Sequence, residues 1–110
     1  MLEEHIVAFL ALLKERRYAR MTIAVCRTVA SEFTIYIDGR VSRPEDITLD
    51  HLRGYLGVRA KLFPHFWRRP MLSNYQERLA GGLSLFLKYL ATQGVRTSIP
   101  FFEKQDLRAV

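Results

Sequence analysis

The chain has 110 residues, 49% of them hydrophobic and 25% charged, which is the size and composition of one folded domain with a single small core. Its longest apolar run, Ile6 to Leu13, has eight residues, whereas a membrane span needs about 20. Glu3 and Glu4 occupy the place of the basic start of a secretory signal, and the single cysteine, Cys26, excludes an intrachain disulfide. We therefore expect a cytoplasmic domain that does not associate with membranes.

The basic residues are clustered. Seventeen Lys and Arg residues against eleven Asp and Glu residues give a net charge of +6. The segment from His51 to Gln76 holds five basic residues and no acidic one, and the segment from His5 to Ser31 holds five against Glu15 alone. Arginine stays charged and binds phosphate through two parallel hydrogen bonds. On charge alone, a nucleic-acid-binding surface and a merely basic, solvated surface both remain open.

Two helices are predicted in the first forty residues. Apolar residues at three- and four-residue spacing predict the first from about Glu3 to Arg16. Thr22 is the predicted N-cap of the second, which continues to about Asp38 before Gly39. The predicted inward positions of this second helix are Ile23, Cys26, Ala30, Phe33 and Ile37. Its many β-branched residues leave a strand over 34–37 as the competing interpretation.

Two more helices follow a connection that contains Gly, Ser and Pro. Thr48 is the predicted cap of the third helix, which should fade near Lys61. Residues 62–71, with two prolines and an aromatic cluster, are then expected to form a long loop. The fourth helix opens at Ser73 and ends before Gly94, a residue suited to the left-handed position after a helix. The pattern predicts an all-α bundle of four main helices arranged as two helical hairpins.

A pair of glycines, Gly81 and Gly82, lies in the middle of the fourth helix. Each costs about 1 kcal/mol relative to alanine in a helix interior, so the pair needs a reason. One reason is a close crossing of two helices, and the other is a close approach of a nucleic-acid backbone. The crossing is the favoured interpretation, and the second stays open.

The sequence carries no recognisable catalytic or metal-binding motif. The three histidines, His5, His51 and His65, lie in different segments without the four-residue spacing of a zinc-binding helix. Neither a serine-nucleophile elbow nor a phosphate-binding loop is present. We therefore expect no cofactor, no metal and no enzymatic activity in this chain.

The order of the elements carries further information. Phe9 and Leu13 precede a basic turn and the second helix, an acidic segment from Asp46 leads to Tyr55 and Leu56, and the fourth helix reads L-x-x-F-x-x-Y-L from position 83. Taken together from position 2 to 100, this order resembles the N-terminal core-binding domain of tyrosine recombinases, the phage-integrase and Xer-like proteins. The sequence departs from the family's usual residues mainly at packing positions, namely Ala19, Cys26, Ala30 and Ile99.

The resemblance implies a SAM-like helical DNA-binding domain over residues 1–100. It implies that residues 101–110 begin a linker to a C-terminal catalytic domain of the same parent protein, which this chain lacks. The implied partners are double-stranded DNA, clamped at a recombination site, that catalytic domain, and other recombinase protomers on the same DNA. Strand cleavage for DNA integration or recombination would then belong to the parent protein, so none of the five tyrosines here is a candidate nucleophile.

In that family the second and fourth helices line the DNA, and helical spacing selects their outward residues. The candidates for contact with base edges are Arg27, Asn74 and Arg78. The candidates for contact with phosphates, which position the protein without reading sequence, are Arg16, Arg17, Arg20, Lys61, Arg68 and Arg69.

Two other functions stay open at this point. Phe63, Phe66 and Trp67, with the neighbouring arginines, are also typical of a helical module that binds another protein. Such a module predicts salt-insensitive protein binding and negligible DNA affinity. A small helix-turn-helix regulator is the third interpretation, although the helices are long for one and no dimerisation element is visible.

Overall fold

The computed structural model describes residues 2–67 and 73–99, and this part of the chain contains helices and no strand. Single 3-10 turns cover Glu3–His5 and Pro44–Asp46. The four α-helices are α1 (Ile6–Glu15), α2 (Arg20–Asp38), α3 (Leu49–Trp67) and α4 (Ser73–Thr92). The predicted all-α bundle of four main helices is therefore confirmed, and the alternative of a strand over 34–37 is wrong because these residues lie within α2.

The core forms where α2 and α4 make the most extensive helix–helix contact, with α1 packed beside them. Phe9, Phe33 and Phe86, one from each of these helices, are the largest fully buried side chains. The Phe9 ring lies 5.2 Å from that of Phe86 and 5.4 Å from that of Tyr89, measured between centroids. Of the predicted inward positions of α2, all but Ile23 are fully buried, and Ile23 packs against the edge of the core.

The helices α2 and α4 cross closely at Gly82. A Cβ atom at this position would lie 3.2 Å from Val29 Cγ2 and 3.5 Å from both Cα and Sγ of Cys26. Such spacing leaves almost no room for a side chain, so the missing Cβ lets the two helices approach each other. The close crossing predicted from the glycine pair is present at Gly82.

The helix α4 ends as the sequence predicts. Gly94 adopts φ +80°, the left-handed conformation that glycine accepts without a steric penalty. The Val95 amide donates to the Leu90 carbonyl at 2.9 Å, and the Gly94 amide donates to the Ala91 carbonyl at 3.1 Å. These two bonds form a Schellman motif, which satisfies carbonyls that the helix end would otherwise leave unpaired.

The helix α1 ends in the same motif, but with an arginine at the left-handed position. Arg17 adopts φ +59°, and its amide donates to the Lys14 carbonyl at 3.0 Å. The Tyr18 amide donates to the Leu13 carbonyl, also at 3.0 Å. A residue with a Cβ pays about 1–2 kcal/mol for this conformation, which the sequence did not lead us to expect at Arg17.

At its other end, α3 departs from the prediction. It was expected to end near Lys61, whereas the helix continues through Pro64 to Trp67. Proline lacks one amide hydrogen, but its fixed φ is close to the helical value, so a final turn can follow it. Phe63, Phe66 and Trp67 are therefore helical residues rather than residues of a loop. The remainder of the predicted loop, and the predicted linker over 101–110, lie outside the described residues.

The start of α3 depends on a histidine. The Thr48 amide donates to Nδ1 of His51 at 2.9 Å, and Thr48 Oγ1 lies 3.1 Å from the same nitrogen. His51 thus occupies the position that Glu or Gln takes in a capping box, where a side chain reaches back to the N-cap amide. Thr48 was predicted as the cap, whereas no capping role was predicted for His51.

We expect His51→Ala to lower the free energy of unfolding by about 1 kcal/mol, because the Thr48 amide then loses its acceptor. Urea unfolding followed by circular dichroism measures this loss. His51→Gln is the matched control, since glutamine places an amide oxygen at the same position and should retain most of the stability. Equal losses in the two variants would show that the ring contributes by packing and not as a cap.

Candidate nucleic-acid interface

Three exposed arginines surround the turn between α1 and α2, namely Arg16, Arg17 and Arg20. None of them forms an ion pair with another described residue. The helix α2 begins at Arg20, two residues before the predicted cap at Thr22; Ala19 is the N-cap, without a side-chain hydrogen bond. The first turn of α2 holds no acidic residue and begins with Arg20, so this cation lies at the positive end of the α2 dipole, whereas Arg16 caps the C-terminal end of α1. This basic turn is therefore a strongly positive region.

A groove of about 510 Å³ between α2 and α4 adjoins the basic turn. We call it the α2–α4 groove. On the α4 side it is lined by Arg78, which is exposed, by Glu77, and by Gly81. Its walls are mostly apolar, and the side chains that form them include Met21, Val25 and Leu85.

A second groove, of about 470 Å³, lies between α1 and α4. Arg16 and Tyr18 line it from the basic turn, and Lys88 lines it from α4. Because Leu85 lines both grooves, the two adjoin each other along α4. The structure thus brings Arg16 and Arg78, two of the predicted contact residues, to neighbouring parts of one surface. It adds Lys88, which was not among the predicted contacts.

Asn74 belongs to the same side of α4. It is exposed and precedes Arg78 by four residues, about one helical turn, so the two side chains neighbour each other. Asn74 and Arg78 are the two predicted base-edge residues on this helix. Their shared side was predicted from spacing, and the structure places both at the surface.

Arg27 lies elsewhere. It is exposed, but it lines neither groove. A helix turns about 100° per residue, which places Arg27 about 200° around the axis from Val25, on the side of α2 away from the α2–α4 groove. Arg20 lies near this outward side, two turns and about 10 Å before Arg27. The structure therefore does not bring Arg27 and Arg78 into one groove.

The remaining predicted phosphate contacts come later in the chain, at Lys61, Arg68 and Arg69. Lys61 is exposed on α3 and lines neither of the two grooves. Arg68 and Arg69 lie outside the described residues. The candidate interface that the structure defines therefore consists of the basic turn and the outward side of α4.

Arg59, one of the five basic residues between His51 and Gln76, is already engaged within the protein. Glu32 Oε1 accepts hydrogen bonds from Tyr55 Oη at 2.7 Å and from Arg59 Nε at 2.8 Å. Burial, reinforced by Glu32, raises the pKa of the Tyr55 phenol, so this tyrosine stays protonated. Burial acts to lower the pKa of Arg59, but the adjacent Glu32 carboxylate outweighs it and raises that pKa. Arg59 is thus a structural cation, and the Tyr55 hydroxyl is engaged with Glu32.

Burial raises the pKa of the Cys26 thiol, which favours its unreactive protonated form. Within residues 2–67 and 73–99, no three His, Cys, Asp or Glu side chains come together in a group that would hold a metal ion. Of the helices described, none combines the length and the apolar character needed to cross a membrane.

Comparison with known proteins gives no match of any kind: no family model, no curated protein and no solved structure is recognisably similar to this chain. The likeness to the core-binding domain therefore depends on the residues and motifs quoted above.

Proposed function

We propose that this chain is a double-stranded DNA-binding domain of a site-specific tyrosine recombinase or integrase. The observation that carries the proposal is the concentration of exposed arginines at the basic turn, without ion pairs to described residues, next to Arg78 on α4. A surface of this kind attracts a polyanion, because neutralising phosphates releases the counterions condensed on DNA. Strand cleavage and strand exchange belong to a separate catalytic domain of the parent protein.

The two parts of the interface have different roles in this proposal. Arg16, Arg17 and Arg20 bind phosphates, since they are long, exposed and grouped on a turn that presents them in several directions. Asn74 and Arg78 are the residues for base edges, because they neighbour each other on one side of a regular helix. Arg27, which was predicted for base edges, shares the outward side of α2 with Arg20, so in this proposal it adds a phosphate contact where the DNA extends along that side.

The proposal also specifies the binding partners of the domain and its location in the cell. Residues 101–110 lead to the catalytic domain of the same parent protein, and the two domains hold DNA between them, beside other recombinase protomers at the recombination site. The protein acts in the cytoplasm, on DNA, without a cofactor of its own. The resemblance in the order of motifs, together with the charged surface, supports this assignment.

A salt titration of binding to random duplex DNA, followed by fluorescence anisotropy, tests the proposal. We expect the affinity to fall as salt rises, with a log–log slope of about −3 to −5, because each neutralised phosphate contributes about −0.9. The slope counts the phosphates that the surface engages. Absence of binding at about 10 mM salt, where screening is weakest, would contradict the proposal.

A second candidate function, a protein-binding module, is favoured by an apolar surface on another side of the molecule. Ile35 is 74% exposed, and Val58 and Leu62 are 45% and 47% exposed. The three line one groove of about 490 Å³ between α2 and α3, beside the Glu32–Arg59 pair. Contiguous exposed apolar residues are typical of protein-interaction sites. A module of this class would show no salt-dependent DNA binding in the same titration.

A further inference from the structure

The groove between α2 and α3 contains an arginine whose position is fixed by the protein. Arg59 lines this groove, and its Nε donates to Glu32 Oε1 at 2.8 Å. The same oxygen accepts from Tyr55 Oη at 2.7 Å, so the carboxylate is itself held in place. The Arg59 side chain is 21% exposed, and no hydrogen bond from the described residues reaches its two terminal amino groups. Arg59 therefore keeps donors for a ligand while its Nε bond limits its movement.

The walls of this groove are apolar and exposed. Ile35 lines it from α2, and Val58 and Leu62, one helical turn apart, line it from α3. A ligand that covers these side chains gains the free energy of removing apolar surface from water. Because the residues stand on two neighbouring helices, they suit a third helix that packs an apolar stripe between them.

Positive charge flanks the groove. The Arg40 guanidinium lies over the ring of Tyr36, which lines the groove, with 3.7 Å between its central carbon and the ring centroid. Lys61 adjoins Leu62 on α3. Both cations are exposed, and neither forms an ion pair with another described residue.

The acidic residues nearby are already engaged. Glu32 is the one acidic residue among the described residues that line the groove, and it is paired with Arg59. Asp38, the last residue of α2, also has a partner within the protein. A carboxylate brought by a ligand would therefore meet cations here, together with the unused donors of Arg59.

We propose that this groove binds an amphipathic helix of another protein, with an Asp or Glu carboxylate at the terminal amino groups of Arg59. The apolar side of that helix packs on Ile35, Val58 and Leu62. A carboxylate suits Arg59 because its two oxygens match the fork of a guanidinium. The inference goes beyond DNA binding and does not depend on it, since the groove shares no lining residue with either groove beside the basic turn.

A selection from a phage-displayed library tests the inference on the full chain, with random peptides of about 16 residues, enough for about four helical turns. We expect the enriched peptides to carry apolar residues at three- and four-residue spacing and at least one Asp or Glu. Fluorescence anisotropy of synthetic copies then measures their affinity for the wild type and for variants of the groove.

The acidic residue of a selected peptide should act through Arg59. Changing it to the amide should weaken binding to the wild type about tenfold, the usual effect of losing a charge-assisted hydrogen bond. The same change should matter much less for Arg59→Lys, because lysine keeps the charge but lacks the paired amino groups. Thermal unfolding checks that Arg59→Lys is folded.

The apolar contact has a matched control on another helix. Ile35→Gln should weaken the selected peptides about tenfold or more, since burial of an aliphatic side chain is worth at least that factor. Val7→Gln changes a residue that is 78% exposed on α1, outside the groove, and should leave peptide affinity unchanged. Both positions are exposed, so both variants should fold.

The outcomes separate this inference from DNA binding, which the salt titration measures independently. A selection that yields no peptide dependent on Ile35 would overturn the inference. Peptides that duplex DNA displaces and that bind Ile35→Gln normally lie at the basic turn, which also overturns it. Self-association of the chain in analytical ultracentrifugation, abolished by Ile35→Gln, would make a second copy the occupant and contradict a foreign partner.

Discussion

Removing the three arginines of the basic turn should weaken binding to random duplex DNA by about 10²–10³-fold at 0.1 M salt. At this concentration each neutralised phosphate raises the binding constant by about 0.9 log units relative to 1 M salt, and three such contacts are lost. The variant is Arg16→Gln, Arg17→Gly and Arg20→Gln in one chain. The same change should bring the log–log salt slope about 2.7 units closer to zero. Fluorescence anisotropy at several salt concentrations measures both quantities, and the change in slope distinguishes lost phosphate contacts from a general loss of affinity.

Glycine is the replacement at position 17 because Arg17 adopts φ +59°. Arg17→Gly relieves a left-handed conformation that costs a side-chain-bearing residue about 1–2 kcal/mol, so this substitution should raise the stability of the domain. The triple variant is therefore expected to be at least as stable as the wild type while it binds DNA less well. Stability and binding moving in opposite directions exclude misfolding as the cause of weaker binding.

A second triple variant controls for net charge. Arg40, Arg43 and Arg96 are exposed residues outside the basic turn, and Arg43 lies within 4 Å of the Glu45 and Asp46 carboxylates. The first two follow the other end of α2, and Arg96 precedes Ser98, whose amide donates to the Ile47 carbonyl at 2.9 Å. Changing these three to Gln removes the same charge and should reduce affinity by about tenfold or less, through long-range attraction alone. Equal losses in the two triple variants would contradict a localised interface.

The buried faces of the helices could be predicted from the sequence. Phe9, Phe33 and Phe86 each lie in an apolar stripe with helical spacing, and burial of such a stripe depends mainly on residues within the same helix. Gly94 was predictable for a similar reason, because the left-handed residue after a helix is set by local sterics. These features required no knowledge of which helix packs against which.

The relative placement of faces on different helices could not be predicted in this way. Periodicity shows that Arg27 and Arg78 both point outward, but whether they share a surface depends on how α2 is rotated against α4. That rotation is set by contacts such as those of Gly82 with Cys26 and Val29, which involve residues more than fifty positions apart. The same limit applies to the Glu32–Arg59 pair, which removes one cation from the apparent basic segment.

The second large effect is expected in the core. Phe86→Ala should lower the free energy of unfolding by about 3–5 kcal/mol, because it removes a fully buried ring and leaves a cavity beside Phe9. A domain of this size has a total stability of about 5–15 kcal/mol, so the variant should unfold at a much lower urea concentration. Equilibrium urea unfolding, followed by circular dichroism at 222 nm, measures the change.

Phe86→Leu is the matched control, since leucine keeps most of the apolar volume and should lose about 1.5 kcal/mol or less. The comparison also tests how the binding surface is supported. Phe86 and Tyr89 of α4 both contact Phe9 of α1, and this packing holds α1 against the part of α4 that carries Lys88. Under conditions where Phe86→Ala is still folded, its DNA affinity should therefore fall further than that of Phe86→Leu. A loss of stability below about 1.5 kcal/mol for Phe86→Ala would contradict a core organised around this ring.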